Sequence, residues 1–161
     1  MASVFLADGG EVLCDLEDLK ILSGFRWYRH RSLHTDYAFA SKGRRKVYMH
    51  RLIMDAPSGS VVDHKNRNGL DNRKDNLRLG SVAQNQANSR SRGKLGLRGV
   101  FIVKRGNCVR FQAKAGSNPQ WRGPKRKDAV QAAIDYDRHA RARFGEFATL
   151  NFPCVPGRAD A

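Results

Sequence analysis

The chain has 161 residues, enough for one ordinary domain or two small ones with a modest core in each. It carries 30 Lys and Arg against 15 Asp and Glu, a formal charge of +15, which argues against a near-neutral enzyme of small metabolites and for a polyanionic partner. No apolar run approaches a membrane span, and the opening MASVFLADGG is too short in its apolar part for a signal peptide. Cys14, Cys108 and Cys154 form no Cys-x-x-Cys pair, so the expectation is a soluble, intracellular chain without a disulfide framework or zinc knuckle.

From Val4 to Leu13, two apolar runs flank Asp8-Gly9-Gly10, which predicts a hairpin. Asp15 then precedes Leu16, Leu19 and Leu22 at helical spacing, with Gly24 just beyond, so a short capped helix is expected. Phe25, Trp27 and Tyr28 are strand-like. Tyr37 to Ala40 and Val47 to Met54 read as two further strands around a basic turn, Lys42 to Lys46. This is a β-rich scaffold whose aromatics suit a core better than a base-stacking platform. Arg44, Arg45 and Lys46 either touch phosphate or form a solvated turn. His50, on the last of these strands, either assists a leaving group or binds phosphate, or else packs, and Arg51 suits phosphate.

The chemistry concentrates in Val61 to Ser89, VVDHKNRNGLDNRKDNLRLGSVAQNQANS. Val61-Val62 leads into Asp63-His64 at a strand end, a polar loop follows, and Leu77-Arg78-Leu79 forms the second strand. Ser81 and Gln84 have the spacing of a capping box, so a short helix follows, with Asn85 and Asn88 three apart on one face. If that helix folds back on the hairpin, Asp63 and Asn85 make a pair of hard oxygen donors suited to one Mg²⁺ or Mn²⁺ ion, with His64 beside them as base.

The order Asp63-His64, Asn76, Asn85, with His50-Arg51-Leu52 upstream and Asn72 and Asp75-Asn76-Leu77-Arg78 within, resembles the HNH endonucleases of the phage and intron-homing type. The resemblance implies a ββα-metal core in which Asp63 and Asn85 hold the metal. It makes His64 the general base and Asn76 the residue that fixes the loop, with Asn88, His50 and Arg51 as further catalytic or phosphate-contacting candidates. It also implies the cytoplasm of a bacterial or phage-infected cell.

Residues 90–96 read as a basic linker between residues 1–89 and a second module over 97–153, and residues 154–161 read as a disordered tail. Charge divides unevenly: residues 1–89 hold 14 basic and 10 acidic side chains, and residues 90–161 hold 16 and 5, so the second part should grip a polyanion more strongly. In it, Gly99 to Val103, Cys108 to Ala115 and a weaker piece around Gln120-Trp121 read as three strands with turns at Arg105-Gly106-Asn107 and Gly116 to Pro119. A helix opens at Asp128 and stops at Gly145, with Ala129, Ala133, Tyr136, Ala140 and Phe144 along one stripe.

Arg98-Gly99-Val100, Ala132-Ala133-x-x-Tyr136-Asp137, Phe144-Gly145 and Leu150-Asn151-Phe152-Pro153 resemble the plant Apetala/ethylene-response-factor DNA-binding domain over roughly residues 95–153. The resemblance implies a sheet in the DNA major groove, contacting it through Arg98, Lys104, Arg105, Arg110, Gln112, Lys114 and Arg122. The chain departs from that pattern at Trp121-Arg122-Gly123-Pro124 and in lacking tryptophan in the second strand.

The resulting expectation is an α+β protein: a ββα-metal nuclease module on a β-rich scaffold, then a three-stranded antiparallel sheet plus one helix. It would act as a monomer on double-stranded DNA, with one divalent metal, no small-molecule cofactor and no membrane. A non-catalytic DNA-binding regulator on the same scaffold and a nuclease of structured RNA are the rival readings.

Overall fold

The computed structural model describes residues 1–89, 93–116 and 120–153. The first part of the basic linker (90–92), the turn residues 117–119 and the tail 154–161 lie outside the described residues. The chain mixes helix and strand and divides into two compact units, Met1–Asn85 and Gln86–Ala161. Among the described residues no helix is long and apolar enough to cross a membrane.

In the first unit, β1 (Ala2–Phe5) and β2 (Glu11–Cys14) form the hairpin expected from Asp8-Gly9-Gly10. Gly9 lies at φ +83°, where a side chain would strain the turn. Asp15 does not cap the helix that follows; its carboxylate instead accepts a hydrogen bond from the backbone N of Lys74 at 2.8 Å. A 3-10 turn (Leu16–Asp18) runs into α1 (Leu19–Leu22), and the buried Trp27 indole donates to the Leu22 carbonyl at 3.0 Å.

A three-stranded antiparallel sheet follows, with order β3 (Tyr28–His30), β4 (Tyr37–Lys42), β5 (Arg45–Tyr48). The run Val47 to Met54, expected as one strand, breaks after Tyr48 and continues as helix α2 (Met49–Ile53). The reason is packing: Met49 and Ile53 both reach the core while Arg51 between them turns to the carbonyls of Ala56, Pro57 and Ser60, an arrangement a helix allows, whereas a strand would set all three on one face. The core gathers Leu6, Val12, Cys14, Leu22, Trp27, Ala38, Ala40, Met49, Ile53, Val62 and Leu77, so β2, β4, the two short helices and the strands that carry Val62 and Leu77 close on one apolar centre.

β6 (Val61–His64) and β7 (Leu77–Gly80) pair antiparallel, and α3 (Val82–Ala87) follows at once. The capping box is formed as its spacing predicts: Ser81 N donates to Gln84 Oε1 at 2.8 Å and Gln84 N donates to Ser81 Oγ at 3.2 Å.

In the second unit, β8 (Val100–Arg105), β9 (Cys108–Ala115) and β10 (Trp121–Arg126) form an antiparallel sheet with β9 central. β10 is longer than its sequence suggests because its register shifts between Arg122 and Lys125, which lets Gly123-Pro124 sit in an irregularity of an edge strand. Helix α4 (Ala129–Phe144) opens on Asp128, whose side chain accepts from Val130 N and Gln131 N, and packs Ala132, Ala133, Tyr136 and Ala140 against one sheet face. The Asp137 carboxylate accepts from the backbone N of Asn151 and of Phe152, both at 2.8 Å, tying the following segment to the helix.

Candidate active site

The loop between β6 and β7 is a lattice of short polar contacts. Asn76 stands at its centre: its Oδ1 accepts from Asn66 N at 3.0 Å and its Nδ2 donates to the Asp71 carbonyl at 2.7 Å. Asp71, almost fully buried, takes two bonds from Arg73 and one from Asn66, and the Arg73 guanidinium above all holds its carboxyl below the usual range. The loop is also stitched to the scaffold: Leu13 N donates to the Leu70 carbonyl at 2.9 Å, and Asn72 N donates to the Leu13 carbonyl at 2.8 Å. Gly69 is required by close approach, since a Cβ there would lie 2.3 Å from the Asp36 carbonyl oxygen.

Against this loop the end of β6 presents Asp63 and His64, only 4% and 5% exposed. Asp63 faces Arg78 across the hairpin, and its Oδ2 accepts from Arg78 Nε at 2.8 Å and Nη2 at 2.7 Å. His64 Nε2 lies 3.2 Å from Asn72 Oδ1. Its ring meets His50 edge-on at 5.2 Å and Tyr37 at 5.8 Å. Burial pushes the His64 pKa down, opposed by the Asn72 hydrogen bond and by the charges of Asp63 and Asp71, so the imidazole is neutral at neutral pH. Burial likewise raises Tyr37, helped by the charge of Asp63.

The fold therefore brings Asp63, His64, Asn76 and His50 into one part of the first unit, and adds Tyr37 and Asn72. His50 rides on α2 and stacks on Tyr48 at 5.6 Å; its Nδ1 is buried and has no hydrogen-bond partner among the described residues. Arg51 does not extend toward a ligand. Its guanidinium donates to the carbonyls of Ser60, Ala56 and Pro57 at 2.7–3.1 Å, clamping the turn after α2. Asn85 is exposed on α3, and Asn88, buried, lies past that helix in the second unit.

Asp63 and Asn85 offer hard oxygens, the donor type that Mg²⁺ and Mn²⁺ accept while keeping water in their other positions. Among the described residues no three of His, Cys, Asp and Glu are grouped as a cage. A carboxylate and an amide oxygen are donors for a hard, partly hydrated ion rather than for a zinc-type site.

Asn72 entered the sequence reading as part of the motif's interior, with no role of its own. Its contact with His64 depends on how the loop packs on β2 and α2.

In the second unit, strand alternation and the cross-strand register set out the sheet face turned away from α4. Phe101 pairs with Gln112, Val103 with Arg110 and Arg122 with Lys114, while Val100, Ala113, Ala115 and Trp121 face the helix. Arg105, Arg110, Gln112, Lys114 and Arg122 therefore share the open face, and Lys114 Nζ sits 4.8 Å over the Phe101 ring. Lys104, paired with Val109, falls on the other face by the same alternation. Arg98 precedes the sheet and is tied inward, donating to Tyr136 Oη at 2.7 Å, to the Gln86 carbonyl at 2.9 Å and to the Ser89 carbonyl. Its position makes it a brace of the second unit, so the expectation that it reaches outward from the sheet is corrected.

Residues 47–87 match the model of a protein family described as HNH endonuclease. A curated relative, an uncharacterized HNH endonuclease of Acanthamoeba polyphaga mimivirus, is 31% identical over 139 residues, which cover 84% of this chain and 72% of the relative. No solved structure matches the chain.

Proposed function

The chain belongs to the HNH endonuclease family, and on that premise we propose that it hydrolyses phosphodiester bonds of double-stranded DNA in a divalent-metal-dependent reaction at His64, with the open sheet face of the second unit as a DNA grip. The observation that carries this reading is His64: a buried imidazole with its pKa pushed down, anchored through Nε2, adjacent in the chain to an acid locked by Arg78.

A neutral His64 takes a proton from water as the water oxygen bonds to phosphorus and the bond from phosphorus to the departing 3′ oxygen breaks. Such base catalysis contributes ~10²–10⁴-fold. Arg78 holds the Asp63 carboxylate in one orientation through Oδ2, and the Asn76 lattice keeps the loop from shifting under His64. Asp63 and Asn85 are the residues that would hold a Mg²⁺ or Mn²⁺ ion, which when bound would supply charge neutralisation at the scissile phosphate and the leaving oxygen. Arg105, Arg110, Lys114 and Arg122 add phosphate or base contacts beyond the cleavage site. The reading of residues 95–153 as an Apetala/ethylene-response-factor-like DNA grip draws on the three-stranded sheet with one helix that they form.

Supercoiled plasmid incubated with Mg²⁺ or Mn²⁺ should be converted to nicked or linear product by the wild-type chain. EDTA should abolish the conversion, and His64→Ala should lower it by at least ~10²-fold while DNA binding persists. Binding without cleavage in either metal would make the chain a DNA-binding regulator, and faster cleavage of structured RNA would shift the substrate.

A further inference from the structure

We infer that Asn72 is a positioning residue for His64: its side-chain oxygen accepts a hydrogen bond from Nε2–H and so holds the imidazole in the tautomer whose Nδ1 carries the lone pair. This rests on the reading of His64 as the base, and it goes further by assigning which ring nitrogen takes the proton and what decides it.

The orientation of the Asn72 amide follows from its two neighbours. Its Nδ2 lies 3.6 Å from Met49 Sδ and its Oδ1 lies 3.2 Å from His64 Nε2. A thioether has no proton to give, so the group facing it must be the NH₂, and the carbonyl oxygen is left for the imidazole. That oxygen accepts but cannot donate, so the ring nitrogen facing it must carry the proton.

Asn72 is also unable to turn away. It is 0% exposed, its backbone N is bonded to the Leu13 carbonyl, and Met49 beside it is equally buried at the start of α2. Rotating the amide would leave a polar group without a partner in a dry site. Tyr37 and His50 bracket the His64 ring and fix its plane, but an aromatic face or edge does not select a tautomer. The amide does, and as a neutral acceptor it sets the tautomer without adding a carboxylate's charge beside the base.

The test is ¹⁵N spectroscopy of histidine-labelled full-length chain, free of metal, with the His64 signals assigned by His64→Gln. Wild type should show the Nε2–H pattern, Asn72→Leu should lose it, and Asn72→Asp, which keeps an oxygen acceptor, should retain it. In plasmid cleavage, Asn72→Leu should lower kcat by ~10–100-fold with KM changed less than about twofold, and Asn72→Asp should recover part of that loss. An Nδ1–H pattern in the wild type overturns the inference by itself, whatever the variants do. So does an Asn72→Leu chain with wild-type tautomer and wild-type kcat. A wild-type chain that shows the Nε2–H pattern but cuts no nucleic acid overturns the nuclease reading and leaves the tautomer assignment standing.

Discussion

His50 shows how one buried side chain sets a property of the whole fold. Burial, reinforced by the neighbouring His64 and Arg51, lowers its pKa from 6.5 to about 3. Between those values the unfolded chain binds a proton at this position and the folded chain does not, so stability rises with pH across the window. On acidification the loss begins near 6.5 and ends near 3, at about 1.4 kcal/mol per pH unit for a single group. His64, shifted the same way, adds to it. Urea unfolding at about pH 7.5 and about pH 5 should show a smaller loss for His50→Gln than for wild type; equal losses would mean that His50 is protonated in the folded state. Asn76→Ala makes a different kind of residue-scale prediction. It leaves Asn66 N and the buried Asp71 carbonyl without their partner, at ~1–3 kcal/mol by the cost of unsatisfied buried groups. Urea unfolding should register that cost, and plasmid cleavage should fall at temperatures where the protein is still folded, because the loop carrying Asn72 loosens.

At the scale of elements, much of the first unit could be read from local chemistry. The Asp8-Gly9-Gly10 hairpin, the β6 and β7 strands around a polar loop, and the Ser81-Gln84 box all depend on residues a few positions apart. What escaped depends on partners far along the chain. Val47 to Met54 is a mostly apolar run whose period does not choose between strand and helix; the choice is made by Met49 and Ile53 meeting the core while Arg51 turns to the carbonyls beyond α2. Asp15 has the position of a cap but bonds to Lys74 N, fifty-nine residues away. Arg51 suited phosphate by residue type and Arg98 was a DNA-contact candidate from the domain resemblance, yet both donate to nearby carbonyls. For the site, order and spacing singled out the Asp63-His64 pair and Asn76 as candidates, whereas the contact of Asn72 with His64 could not be read, because it depends on how the loop packs on β2 and α2. The capping box permits a direct test: Ser81→Ala removes the acceptor for Gln84 N and should destabilise the chain by ~0.5–2 kcal/mol. Because α3 carries Asn85, the same variant should need a higher Mg²⁺ concentration for half-maximal cleavage, and an unchanged metal requirement would remove Asn85 from the ligand set.

For the molecule as a whole, charge and stability are separable. The formal +15 is concentrated after residue 89, and in the second unit the apolar clusters lie between the sheet and α4, on the face opposite Arg105, Arg110, Lys114 and Arg122. Removing open-face charges should therefore weaken DNA binding without loosening the core. Arg110→Ala, Lys114→Ala and Arg122→Ala combined should reduce the slope of log affinity against log salt by up to about 2.7, at about 0.9 for each phosphate that is no longer neutralised. Tm should stay near wild type. Arg98→Ala is the opposing control, since its guanidinium braces Tyr136 and the Gln86 and Ser89 carbonyls: it should lower Tm and change the salt slope little. Arg126→Ala should resemble Arg98→Ala in sign but with a smaller effect, because its ion pair with Asp135 on α4 is partly exposed. Fluorescence anisotropy across a salt series, beside thermal unfolding of the same samples, separates these outcomes. A triple variant that binds with the wild-type salt slope would show that the open face is not where the phosphates lie.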